Sequence, residues 1–386
     1  MSVAINNPKT TIKVISNSTE FLKIEHLWNK LVDKTCTSPF MLSGFVKEWM
    51  DSTSSNEWTP LLLIFSINGN VAGLAPLATK TKFGIRSAKF LHVFTHQPDF
   101  IVLEQHREIF IEHILDFLFR DLKCKFVDFS LHDNSPNLRI IERYCKRERI
   151  NFSVAPEMGH RILPINVGWT EFESLRGRNF RKQFDKMRRN FDLAGSWKNV
   201  CTQYNNQLDV IKKILDVEKL SWKEKWRIQR GEKIDLNLQL VLEGAQHTAK
   251  IEPGFEWKVC FLDLNEHTIA YYLVFQYKET AFLLKTSYDE RYKKLHPGSF
   301  LRYAIIREFF NSKKVKSIDF ITDLNHHRKW TPICLPRVSV VLTNGTLPAI
   351  WKQTFEYPLL SKVMYIANRS LTMFEQLGRR LAKTGR

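Results

Sequence analysis

The chain has 386 residues, 44% of them apolar, and its 58 basic against 40 acidic side chains give a formal net charge of +18. That size and apolar content support substantial cores arranged as two domains plus a tail, and the charge draws anions of any kind to the surface. No uninterrupted apolar run approaches the roughly 20 residues that span a bilayer, and Met1 to Pro8 lacks the basic-then-apolar design of a secretion signal, so the expected setting is soluble and cytoplasmic.

In chain order, Thr11 to Ile15 reads as a strand, Phe21 to Asp33 and Phe45 to Asp51 as helices, and Leu61 to Val93 as an antiparallel meander whose first turn is Asn68-Gly69-Asn70. Helices over Ile109 to Leu122 and Asn137 to Arg149 bracket a strand at Val127, and Phe152 to Pro164 reads as the link between halves. A helix follows in which Arg176, Arg178, Arg181, Lys182, Lys186, Arg188 and Arg189 form a basic face, while Phe180, Phe184, Met187 and Phe191 form an apolar stripe. This face fits either an anion-binding surface or a solvated helix flank. Helices around Val210 to Arg230, with Trp222 and Trp226 one turn apart, and around Leu236 to His247 precede a second meander from Trp257 to Ser287. From Thr346 onward prolines interrupt regularity before an amphipathic helix with a basic end, which suits packing on the protein body or contact with an anionic membrane surface.

The order of elements occurs twice. Leu61 to Ser66, Asn68-Gly69-Asn70 and Val71 to Leu74 correspond to Val259 to Leu264, Asn265-Glu266-His267 and Thr268 to Tyr272, and the helix and strand after each meander match as well. The predicted fold class is therefore α+β, two tandem domains, each a mixed, largely antiparallel sheet flanked by helices, plus a C-terminal helix. The boundaries read as 1–155, 156–345 and 346–386.

The copies differ where chemistry enters. Only the second has Lys293-Lys294-Leu295-His296-Pro297-Gly298-Ser299 ahead of the helix Phe300 to Phe310; the first has Glu104 and Glu108 there, which repel phosphate. A glycine at a helix start lets a ligand approach backbone, and the unpaired N–H groups of the first turn suit an anion. The same dipeptide also serves as a plain turn before a helix. The six cysteines are scattered, with no Cys-x-x-Cys pair and no ligand spacing with histidine, so reduced thiols and no metal centre are expected.

These pieces, with Ser38-Pro39-Phe40, Trp49, Ala72 to Leu77, Arg178-Asn179-Phe180-Arg181-Lys182, Tyr288-Asp289, Pro297 to Leu301, and Asp319-Phe320-Ile321 leading to Arg328-Lys329-Trp330, resemble the CelD-like (BioF2-like) acetyltransferase domain proteins of the GNAT superfamily. The paired domains are similar to those of the FemAB-like transferases. Thr322-Asp323 and His326-His327-Arg328 depart from the Gly-Asp and Tyr-Lys of that pattern.

The resemblance implies an N-acyltransferase that moves acetyl or another acyl group from acyl-CoA to an amine acceptor by direct attack, with a sugar or cell-envelope precursor as the acceptor class. The pyrophosphate is expected on the N–H groups of Gly298, Ser299 and Phe300 after Pro297, with Lys293, Lys294 and His296 supplying charge. Asp323, sharing a strand face with residues 319 and 321, is the first candidate to take the amine's proton, and His326 or His327 the second. Tyr288 is the candidate to protonate the leaving thiolate. Trp222, Arg328 and Trp330 are candidates to border the acceptor cleft. Two rival readings remain: an aminoacyl-tRNA-dependent transferase whose basic helix tracks tRNA, and a non-catalytic nucleic-acid or membrane-surface binder. No signature of specific DNA binding is present.

Overall fold

The computed structural model describes residues 9–35, 38–53, 58–82, 84–91, 98–203, 208–224 and 236–345. The expected C-terminal helix, Trp226 and Cys36 lie outside the described residues.

The first lobe runs β1 (Thr10–Ile15), α1 (Ser18–Leu22), α2 (Glu25–Thr35), α3 (Ser43–Thr53), β2 (Thr59–Ile67), β3 (Asn70–Lys82), β4 (Ile85–Phe90), β5 (Ile101–Val102), α4 (Arg107–Asp116), β6 (Phe126–His132), α5 (Pro136–Glu148) and β7 (Asn151–Pro164). The second runs α6 (Trp169–Leu175), α7 (Arg178–Ala194), β8 (Trp197–Gln203), α8 (Leu208–Lys219), α9 (Leu236–Ile251), β9 (Phe255–Leu264), β10 (His267–Tyr277), β11 (Thr280–Tyr288), α10 (Pro297–Ser312), β12 (Ser317–Asp319), α11 (Asn325–Arg328) and β13 (Cys334–Thr343). In both lobes an antiparallel meander ends in a strand parallel to the one after the next long helix: β4 with β6, and β11 with β12. Corresponding turns share a cause. Asn68-Gly69 and Asn265-Glu266 all have positive φ, the conformation that a tight hairpin demands and that glycine and asparagine tolerate best.

One continuous path, β1-β2-β3-β4-β6-β13-β7-β12-β11-β10-β9-β8, joins the lobes. The segment expected as a linker is strand β7. Most of it pairs with β13, and its last residues, Ile162 to Pro164, pair with β12 of the second lobe. Its first half is largely exposed, and the alternation begun by Asn151-Phe152-Ser153-Val154 is broken at Ala155-Pro156, which hides the full length of the strand in the sequence. Gly159 is required where β7 meets β13, because a Cβ there would stand 2.4 Å from the Leu335 carbonyl oxygen. The last strand, β13, is inserted between β6 and β7, so residues 334–343 complete the first lobe's sheet although they follow the second lobe in sequence.

The lobes also share a core. Phe40 and Phe45, from the α2–α3 corner, meet Phe275 and Phe255 of the second sheet at centroid distances of 5.2 and 6.0 Å. Burying each such ring contributes about 2–3 kcal/mol and resists separation of the lobes. A separate cluster fills the other face of the second sheet, where Phe180, Phe184, Met187 and Phe191 of α7 pack against α10 and β10. The amphipathic reading of α7 is thus what the structure shows, with Arg178, Arg181, Lys182, Lys186, Arg188 and Arg189 exposed.

The reduced-thiol expectation is corrected for one pair. Cys201 of β8 and Cys260 of β9 are register partners and form a disulfide, whereas Cys124, Cys145 and Cys334 are free. Cross-strand adjacency, which spacing along the chain does not reveal, brings the two sulfurs together.

Candidate active site

The site lies where β11 and β12 part. Their parallel pairing covers Thr280–Phe282 with Ser317–Asp319 and goes no further. Beyond Asp319 the chain turns away, as Ile321 takes a left-handed conformation with φ 65° while its N–H donates to Asp319 Oδ1 at 2.6 Å. On its other edge β11 bulges: Lys285 pairs with Leu273 and Leu283 with Val274, which leaves Leu284 unpaired. The extra residue re-aims the side chains beyond it. Lys285 turns toward α8, where its Nζ stands 3.7 Å from Glu218 Oε1, while Thr286 and Tyr288 turn toward the start of α10.

His296, left-handed and exposed, introduces α10, with Pro297 in its first turn and no side-chain cap. The amides of Ser299 and Phe300 already donate to the His296 carbonyl, at 3.0 and 3.1 Å. Of the three amides expected to receive a phosphate, only that of Gly298 escapes this turn. A Cβ on Gly298 would meet Tyr288 Cδ1 at 3.5 Å and Thr286 Oγ1 at 3.6 Å, so the missing side chain leaves space about one methyl wide between α10 and β11. Phe300 is a core side chain stacked on Phe191. Lys293 and Lys294 are exposed on the preceding turn, and Lys293 lies 3.9 Å from Glu290.

The residue that the sequence did not announce is Arg302, one turn further along α10. It is 4% exposed, its Nε donates to Tyr272 Oη at 3.2 Å, and its Nη1 has no partner. An unpaired buried guanidinium nitrogen is costly, and Arg302 also acts on other bases. Burial first, then repulsion from Arg302, lowers Lys329 to about 8. The same two causes push His327 down to about 3, and they hold the more exposed His326 below the ordinary imidazole range with help from Lys329. Because His327 Nδ1 donates to the Thr322 carbonyl at 2.9 Å, its Nε2 is left as the acceptor nitrogen. Arg302 and Lys329, with the neutral imidazoles of His326 and His327, therefore form a cluster beside the strand opening whose two cations repel each other and would be stabilised by an anion.

Two expectations are corrected by geometry. Asp323 does not share a strand face with residue 319, because β12 ends at Asp319. Its carboxylate is bound instead by Arg161, and by Arg328 at 3.3 Å. Burial opposes ionisation, but these hydrogen bonds outweigh it and hold Asp323 below the usual carboxylate range, where it is a poor proton acceptor. Trp330 is fully buried among Phe172, Phe180, Phe184 and Tyr303, which makes it a core anchor instead of a cleft wall. Arg328 is exposed, and with Lys329, Arg176 and Asn179 it lines a groove of about 430 Å³ at the start of α7. Trp222 is 41% exposed.

On the opposite face of β11 lies a polar group that periodicity also missed. Glu218, on the otherwise apolar inner stripe of α8, accepts a short hydrogen bond from Tyr271 Oη and faces Lys285. Ser287, the next inward residue of β11, has a buried, unpartnered Oγ.

Residues 178–329, which contain the bulged strand, α10 and the basic cluster, match a family model described as an acetyltransferase (GNAT) domain. Solved structures with the same overall fold include FemX (11% identity, TM-score 0.53, covering 89% of this chain and 100% of that one). L-PGS from Bacillus licheniformis is similar at 9% identity, with a TM-score of 0.52 and coverage of 84% of this chain and 94% of that one. The C-terminal domain of a putative lysylphosphatidylglycerol synthetase from Agrobacterium fabrum is similar at 10% identity, with a TM-score of 0.52 and coverage of 85% and 93%. No curated protein matches the sequence. The family-model match thus defines a GNAT-type acetyltransferase domain over residues 178–329 of the second lobe, and the solved structures share the two-lobed fold as a whole. Among the described residues, no helix is long and apolar enough to cross a membrane.

Proposed function

We propose that the second lobe is an N-acyltransferase that takes its acyl group from acyl-CoA. The observation that carries this reading is Arg302, buried with an unpartnered Nη1 within electrostatic reach of Lys329 and both histidines, beside a glycine-lined helix start and a splayed strand pair. Phosphates of the donor would be held by the Gly298 amide and this basic cluster, with Lys293, Lys294 and His296 at the rim. The acceptor nitrogen attacks the thioester carbonyl, the C–S bond breaks, and the thiolate takes a proton, for which Tyr288 at the end of β11 is the donor. The oxyanion is met by backbone N–H groups freed by the bulge. The amine's proton passes to Glu218, the carboxylate that faces Lys285 of the bulge, because His327, pushed down to about 3, is as poor a proton acceptor as Asp323. Similarity to CelD-like proteins, carried by the sequence motifs, supports a sugar or cell-envelope amine as acceptor.

A second reading rests on α7. None of its six exposed basic side chains makes an ion pair with a described residue, and the fold is shared with FemX, so an aminoacyl-tRNA donor is the alternative. Titration of the purified protein with acetyl-CoA, longer acyl-CoAs and bulk tRNA, followed by thermal stability, separates the two. Stabilisation by acyl-CoA that disappears in Gly298→Glu supports the first reading. Stabilisation by tRNA alone supports the second.

A further inference from the structure

The first lobe has its own opening at the position that corresponds to the donor site. Pairing of β4 with β6 covers only Ser87–Lys89 with Phe126–Asp128. Past it, between the lobes, lies a cavity of about 450 Å³, a size typical of small-molecule sites. Its wall includes Asp99, Arg107 at the start of α4, His132 at the end of β6 and Asn137 in the first turn of α5, with Lys278 and Asp319 from the second lobe.

Most polar groups of this wall are spoken for. Asp99 accepts from the Phe100 amide at 2.7 Å and from Asn137 Nδ2 at 2.8 Å. Lys278 is paired with Asp33 at 2.6 Å, and Asp319 accepts the Ile321 amide. Three groups are left over. Asn137 is 4% exposed and its Oδ1 has no partner; Arg107 Nε has none; and behind the wall Arg337, 1% exposed, donates to the Ser130 carbonyl at 2.7 Å but leaves Nη1 unused. One nitrogen on each of two guanidinium groups and one amide oxygen thus lack partners in or beside a single cavity. The guanidiniums call for an anionic acceptor, and the amide oxygen calls for a donor.

We propose that this cavity is a second binding site, built mainly by the first lobe, for a small carboxylate that carries a hydroxyl or amino group. The carboxylate meets Arg107, with Arg337 adding charge from behind, and the hydroxyl or amino group donates to Asn137 Oδ1. The site is separate from α10 and does not depend on the acyltransfer reading.

The test is calorimetric titration of the full chain with L-malate, L-serine and succinate, which lacks the extra donor. Expected are binding of L-malate or L-serine at least tenfold tighter than succinate, a loss of at least tenfold in Arg107→Gln, and no change in Gly298→Glu. Protection of Arg107 from phenylglyoxal by the bound probe, read by mass spectrometry on the unaltered protein, gives the same answer should Arg107→Gln fail to fold. Absence of binding by all three probes, binding indifferent to Arg107→Gln, or binding lost in Gly298→Glu would each overturn the proposal.

Discussion

Gly298→Ala should make the protein slightly more stable and a poorer binder of its donor. Gly298 is not in the left-handed region, and the added methyl would touch Tyr288 and Thr286 at 3.5 and 3.6 Å, ordinary contact distances. Alanine in a helix is favoured over glycine by about 0.5–1 kcal/mol, so the melting temperature should rise by roughly 1–3 °C. The same methyl fills the gap through which a phosphate would reach the Gly298 amide. Affinity for acetyl-CoA, measured by calorimetric titration, should fall at least tenfold, about 1.4 kcal/mol. A raised melting temperature with an unchanged dissociation constant would refute the reasoning, since the space would then serve no ligand. A large drop in stability would show that the glycine is needed by the fold.

Arg302→Met should leave stability unchanged or raise it, because it removes a buried, partly unpaired charge, yet cost at least tenfold in acetyl-CoA affinity; it should also raise the Lys329 pKa from about 8, which an NMR titration checks. Glu218→Gln, which keeps shape and removes charge, should lower kcat far more than it raises the KM for acyl-CoA; equal turnover would remove Glu218 from the chemistry. Acid stability follows from four groups. Burial and neighbouring cationic groups push His132 and His326 down to about 4 and His327 to about 3, so each takes up its proton on unfolding and stability falls as pH drops below about 6.5. Asp99, pushed up to about 6 by burial, is protonated first in the folded state and acts in the opposite sense between about pH 4 and 6. The net is about two protons taken up on unfolding, or about 2.7 kcal/mol per pH unit; in Asp99→Asn the slope from denaturant titrations should rise by about half. Cys201→Ser should cost about 2–4 kcal/mol in oxidising buffer and little under reducing conditions.

Much of the architecture is legible from residues alone. The paired hairpin turns at Asn68 and Asn265, the apolar stripe of α7 and the Pro297-Gly298 helix start all carry local signals, and all lie where periodicity and turn chemistry put them. What escaped depends on contacts between distant segments. The first half of β7 is largely exposed although it carries Phe152, Val154 and Met158, so its pairing shows only once β13 lies beside it. Arg302 reads as one more charge on a helix until the fold buries it against Tyr272, and Glu218 as one more acid on α8 until Tyr271 and Lys285 surround it. Asp323 misled for a related reason: an acid near a strand end resembles a base, and only the partners Arg161 and Arg328 show its carboxylate to be committed.

The most direct test is amide hydrogen exchange of the full chain with and without acetyl-CoA. Slowed exchange over β11 and the first turns of α10, roughly 284–302, is the predicted result. Protection confined to the first lobe, or none at saturating acetyl-CoA, would contradict the placement of the donor on the second.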